Sequence, residues 1–184
     1  MTISIVGKER ALSQLLCRLP EIVDHLGAKQ PKAPESFMVW LKDAETCLED
    51  HRVAQASAIA AVRSKLIALQ YTKSTRKDQQ RLCCEVLPEA QQVLALLHEE
   101  VSQPIKDARK LLAPLLSAVA QSGGLTYANG ESYQVFIEKL SHLLNSHEQL
   151  KSSMVHVNAL LPAHDCLWLL GDMVDLELWS MAPV

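Results

Sequence analysis

From Phe37 to Leu69 the apolar residues recur at helical spacing: Phe37, Leu41, Ala44 and Leu48, then Ile59, Val62, Leu66 and Leu69. His51 and Gln55 hold the same stripe between the two groups. Read as one helix over residues 35–71, the segment spans roughly 55 Å at about 1.5 Å per residue. A stripe of that length cannot be buried in a small compact core, so it needs an equally long partner. Residues 76–121 offer one. Leu82, Val86, Ala90, Val93, Leu97, Val101, Ile105, Ala108, Leu112, Leu116 and Val119 keep helical phase through Pro88, Pro104 and Pro114. Proline removes a backbone donor and clashes one turn back, so preserved phase predicts either a kinked helix or short helices stacked end to end. Ser102 is placed to cap a fresh helix near Pro104, which predicts a break there.

A third stripe has the cleanest heptad steps: Phe136, Leu140, Leu143, His147, Leu150, Met154, Val157 and Leu161. Alternating steps of four and three make the seam of a coiled-coil or antiparallel packing. Glycine and proline divide the chain into five expected helical regions, 8–26, 35–71, 76–121, 131–161 and 164–179. Gly27 suits a helix C-cap, and Pro34 sits where a first helical turn tolerates proline. Residues 121–131 form the longest evident loop, and residues 1–7 are expected to form an extended arm. Composition agrees: 30 Leu and 20 Ala against 5 Thr favour helix over strand. The expectation is an all-α single domain over 1–184, an elongated up-and-down antiparallel helical bundle with long, proline-kinked helices.

Bulk properties exclude several classes. A net charge of −3 gives no global attraction to nucleic acid or anionic membrane. The opening MTISIVGKER lacks the apolar core of a signal peptide, and the longest uncharged run, 111–130, is interrupted by Pro114, Gly123, Gly124 and Gly130. Five cysteines (Cys17, Cys47, Cys83, Cys84 and Cys166) follow no metal or disulfide spacing, which points to reduced thiols in a cytoplasmic protein. No nucleophile elbow, phosphate loop or dinucleotide fingerprint is present, and no cofactor is expected. His164-Asp165-Cys166 has the letters of a triad, but consecutive helical positions diverge.

Three features carry candidate chemistry. The basic turn within 63–81 gathers Arg63, Lys65, Lys73, Arg76, Lys77 and Arg81 against the single acid Asp78. Charge and free N–H groups near a helix start suit phosphate, although a solvated turn is the plainer reading. His51 and His147 interrupt apolar stripes and are weak metal candidates; hydrogen-bonded core histidines are the alternative. The C-terminal helix expected at 164–179 has no basic residue and shows Leu167, Trp168, Leu170, Val174, Leu178 and Trp179, which fits either a bundle helix or a docking helix. Charge is asymmetric as well: residues 1–110 hold 16 basic and 14 acidic side chains, residues 111–184 hold 2 and 7. Together these features favour a non-enzymatic interaction or scaffold module that contacts a protein partner or forms a twofold homodimer through its C-terminal helix. A phosphate- or nucleic-acid-binding module using the basic turn is the alternative. A metal-dependent bundle enzyme around His51 and His147 stands behind both, and no membrane partner is expected.

Overall fold

The computed structural model describes residues 4–72, 74–128 and 130–179. Among them the chain is all-α: α1 (Ile5–Cys17), α2 (Leu19–Gly27), α3 (Ala33–Asp50), α4 (Ala56–Gln70), α5 (Arg76–Ser122), α6 (Tyr133–Ser146), α7 (Glu148–Leu160), α8 (Ala163–Met173) and a 3-10 turn at Leu176–Leu178. No helix among the described residues is long and apolar enough to cross a membrane. Contacts divide the chain into two compact units, one of residues 7–101 and one of residues 1–6 with 102–184.

Four of the five expected helices are in fact pairs, and the expected break at Ser102 is absent. Residues 8–26 split at Arg18 because Pro20, in the first turn of α2, cannot donate to the turn before it. Residues 35–71 split after Asp50. There Arg52 takes a left-handed conformation (φ 52°), and the N–H groups of Arg52 and Val53 donate back to the carbonyls of Glu49 and Leu48. That is a Schellman closure, with buried Val53 packed where the motif needs an apolar residue. Residues 131–161 split at His147, whose extended ψ of 124° ends α6 and starts α7. The last region is α8 followed, after extended Val174, by the 3-10 turn, whose Glu177 N–H is capped by Asp175. Ile5 already opens α1, so residues 5–7 of the expected arm are helical and not extended, and residues 1–3 lie outside the described residues. Gly27 is the last residue of α2, and Lys29 (φ 53°) supplies the left-handed turn expected of the glycine.

Helix α5 runs unbroken for 47 residues. Its apolar stripe is buried at Val86, Ala90, Leu97, Val101, Ile105, Ala108, Leu112, Leu116 and Val119, with Leu94 added and Leu82 and Val93 half-buried. Pro88 and Pro114 are exposed and Pro104 half-buried, and the carbonyls they leave without a donor belong to exposed Cys84, Glu100 and Lys110. Water can satisfy those carbonyls, so the helix continues where a buried proline would break it. Ser102, expected to cap a new helix, is a buried residue inside α5.

In the 7–101 unit, polar links tie each helix to its neighbours. Arg63 Nε bonds Glu45 at 2.5 Å, returning α4 along α3. Arg18 pairs with Asp43 at 2.8 Å, and the Trp40 indole donates to the Leu15 carbonyl at 2.9 Å, setting α3 against α1 and α2. Lys65 reaches Glu89 at 2.6 Å from α4 to α5. Buried Phe37 and Trp40 stack at 5.8 Å in the interior.

In the other unit, the 102–122 part of α5 shares one core with α6, α7 and α8, centred on Phe136, Leu140, Leu144, Met154, Leu169 and Leu170. Tyr127, from the 123–132 connection, meets Phe136 edge-on at 5.4 Å, and Phe136 meets Trp179 at 5.5 Å. The Tyr127 N–H donates to the Trp179 carbonyl at 2.8 Å, pinning loop to C-terminal turn. Asp165, 1% exposed, accepts from the Ser4 hydroxyl at 2.6 Å and the Ile5 N–H at 2.7 Å, so a carboxylate from α8 caps the start of α1.

A non-glycine residue in the left-handed region costs about 1 kcal/mol. Arg52→Gly is therefore expected to melt at or above wild type, whereas Arg52→Val should be less stable than the glycine variant by about 1–2 kcal/mol. Urea denaturation of the three proteins checks the order.

Candidate functional site

The basic run divides between two roles. Arg63 and Lys65 are committed to Glu45 and Glu89 within the helix packing. Lys73 lies outside the described residues. Arg76, Lys77 and Arg81 stand on the first turns of α5, all exposed, and line a cleft of about 750 Å³ with Lys29, Leu26 and Gly27 from the end of α2. Asp78, Gln80 and Cys84 complete its wall.

Local sequence explains how these groups are held. Thr75 and Asp78 form a reciprocal capping box: the Thr75 N–H and hydroxyl donate to Asp78 Oδ2 at 2.9 and 2.7 Å, and the Asp78 N–H reaches Thr75 Oγ1 at 3.3 Å. These hydrogen bonds, side chain first, hold the Asp78 carboxyl below its usual range, with Arg81 and Lys77 adding to the effect. The one acid of the run is thus spent on the cap. Gln80 Nε2 donates to the Leu26 carbonyl at 2.6 Å, fastening α2 to α5 across the cleft wall. Arg81 has only a loose, exposed contact with Glu85 at 3.6 Å. Lys29, Arg76 and Lys77 form no ion pair among the described residues. The cleft can therefore offer cationic donors beside Gly27 and Cys84. Cys84 on the cleft is exposed, whereas its neighbour Cys83 is buried away from it, and burial pushes that thiol up to about 12, helped by Cys84 and Glu35.

The structure does not place the histidines in a core. His51 is the half-buried C-cap of α3 and His147 an exposed helix junction, and the two belong to different units. Among the described residues no group of three or more His, Cys, Asp or Glu could hold a metal ion. Both histidines interrupt their stripes because the helices end there.

The C-terminal candidates mostly enter the core of their own unit. Leu170 and Trp179 are buried, and Leu167, Trp168 and Val174 pack against the same cluster. Leu178 alone is bare, 70% exposed. Helix α8 thus has its apolar face spent at home. In the 164–166 stretch, Asp165 turns to α1, while the Cys166 thiol faces the Leu161 carbonyl at 3.5 Å and is raised to about 11, mainly by burial.

One cluster escaped sequence reasoning. Ser13 Oγ lies 2.9 Å from His98 Nε2 and donates to Glu9 Oε1 at 2.9 Å, and the same His98 nitrogen is 3.1 Å from that carboxylate oxygen. Serine, histidine and glutamate suggest a nucleophile, but the geometry is not a relay. A relay uses both ring nitrogens, one toward serine and one toward the acid. Here one nitrogen lies within reach of both, and the serine hydroxyl donates to Glu9 directly, so the imidazole does not bridge serine and acid. The cluster fastens α1 to α5. Glu9 and Ser13 share a helix face by their spacing, but nothing local pairs them with a residue 85 positions away.

Comparison with protein-family models, curated proteins and solved structures gives no match. The cleft has to be read from its own chemistry.

Because Asp78 has a lowered folded-state pKa, its cap is fully formed above the ordinary carboxylate pKa and is lost as pH falls through the lowered value. Amide hydrogen exchange in the first turn of α5 should accelerate selectively, beyond the intrinsic chemical rate, only once the pH falls below the ordinary aspartate pKa of about 3.9. Asp78→Asn should show the faster exchange already at pH 7.

Proposed function

We propose that the protein is a non-enzymatic helical interaction module that recognises an anionic group through the basic cleft between α2 and α5. The helices of the 7–101 unit serve as an up-and-down bundle that holds the cleft wall in place. The observation that carries the reading is the grouping of Lys29, Arg76, Lys77 and Arg81 around one cavity in which Asp78, the one carboxylate among its described lining residues, is tied up in a helix cap. Two separate helix ends contribute, so the cations converge on a concavity and are more than a charged stretch of surface. A cavity of this size lies within the range that holds small ligands, and cations over a partly apolar wall bind anions more strongly than fully solvated ones do.

Self-association through the C-terminal helix has less support, since that helix's apolar side chains are occupied in the core and only Leu178 projects. Nucleic acid has little in its favour beyond charge, because Tyr71, 88% exposed, is the single aromatic near the run.

The test is a Lys29→Gln, Arg76→Gln, Lys77→Gln, Arg81→Gln variant titrated with tripolyphosphate beside wild type. Wild type should bind, with affinity falling as salt rises. The variant should lose at least tenfold in affinity while its melting temperature stays nearly unchanged, since exposed charges contribute little to stability. Equal binding by the two proteins would remove the reading.

A further inference from the structure

The cleft is not lined by charge alone. Leu26, itself buried, and Gly27 border it at the end of α2, and the exposed Cys84 side chain stands one helical turn beyond Gln80. Lysine and arginine reach their charged tips on aliphatic stems, which together with Cys84 supply the carbon surface beside the cationic groups. A free phosphate would satisfy the rim and leave the carbon lining wet. A neutral apolar molecule would leave the cations unused. A ligand that satisfies both has an anionic head on an apolar tail.

Resting on the anion-binding reading above, we propose that the cleft takes a small soluble amphiphile, an alkyl or acyl chain ending in a phosphate or carboxylate. The head meets Arg76 and Lys77 with Lys29 and Arg81 at hand, and the tail lies along Gly27, Cys84 and the aliphatic stems of those cations. The site is a concavity of about 750 Å³, which suits one molecule bound singly. A face built for a lipid surface instead projects its apolar side chains outward.

The experiment is a chain-length series of inorganic phosphate and butyl, hexyl, octyl and decyl phosphate, each below its micelle threshold, titrated by calorimetry into the full chain. The matching carboxylates and phosphatidylglycerol vesicles run as separate arms. Affinity should rise roughly fourfold per added methylene while the tail finds lining. Bound octyl phosphate should slow alkylation of Cys84 but not of Cys17, the other exposed cysteine. Gly27→Glu places a carboxylate in the cleft at a position where a Cβ meets nothing within 4 Å, and it should abolish the chain-length gain. A flat series, binding to vesicles only, or equal protection of both cysteines would overturn the proposal. Phosphate binding with a flat series would leave the anion reading standing, whereas loss of all binding would end both. Cysteine protection is read on unmodified protein, so it decides the matter even if the Gly27→Glu variant fails to fold.

Discussion

The structure depends on keeping three prolines off one face of α5. A helix of 47 residues gains stability mainly through the stripe it buries, and both compact units are built on part of that stripe. Interior proline typically costs about 3 kcal/mol, through a lost hydrogen bond and a clash. Pro88, Pro104 and Pro114 stay off the buried stripe, and the carbonyls they orphan belong to exposed residues. The stripe beneath them keeps Val86, Ala90, Leu94, Ala108 and Leu112 buried without interruption. Moving one proline by two positions would bring its orphaned carbonyl toward the core, where no water can replace the missing donor.

Helical period reports which side chains are buried, and in this it was a good guide. Nearly every stripe residue named from spacing is buried or half-buried, and the all-α class follows from the same signal. Period does not report where a helix stops. The stops at Lys29 and Arg52 use left-handed residues that are not glycine, so the usual punctuation is absent, and α3 and α4 read as one helix because the turn between them preserves phase. Asn145-Ser146-His147 is a break made of weak helix formers with neither glycine nor proline. The polar interruptions at His51 and His147 were the available clue. Taken as buried functional groups they mislead; taken as helix ends they mark the chain reversal between α3 and α4 and the junction of α6 and α7.

Legibility of the site follows sequence distance. Arg76, Lys77 and Arg81 are neighbours in the chain, so their charge was visible at once. Lys29, Leu26 and Gly27 join them only through the packing of α2 on α5, which no local pattern announces. The same reason hid Ser13, Glu9 and His98. Asp165 is the sharpest case. In sequence it stands out only as the middle letter of His164-Asp165-Cys166, yet it is buried, its carboxylate meeting an N–H and a hydroxyl from the first described residues.

That last contact bears on the order in which the molecule can be made. Residues 7–101 leave the ribosome as a continuous stretch and contain all of their own unit. Ser4 and Ile5 emerge ahead of that unit, yet their partner lies about 160 residues further on. Closing so long a loop is entropically costly, and only late contacts can repay it. Ser4 and Ile5 thus wait through the synthesis of all the intervening residues without the carboxylate that caps them, and the first turn of α1 is completed only once α8 has emerged.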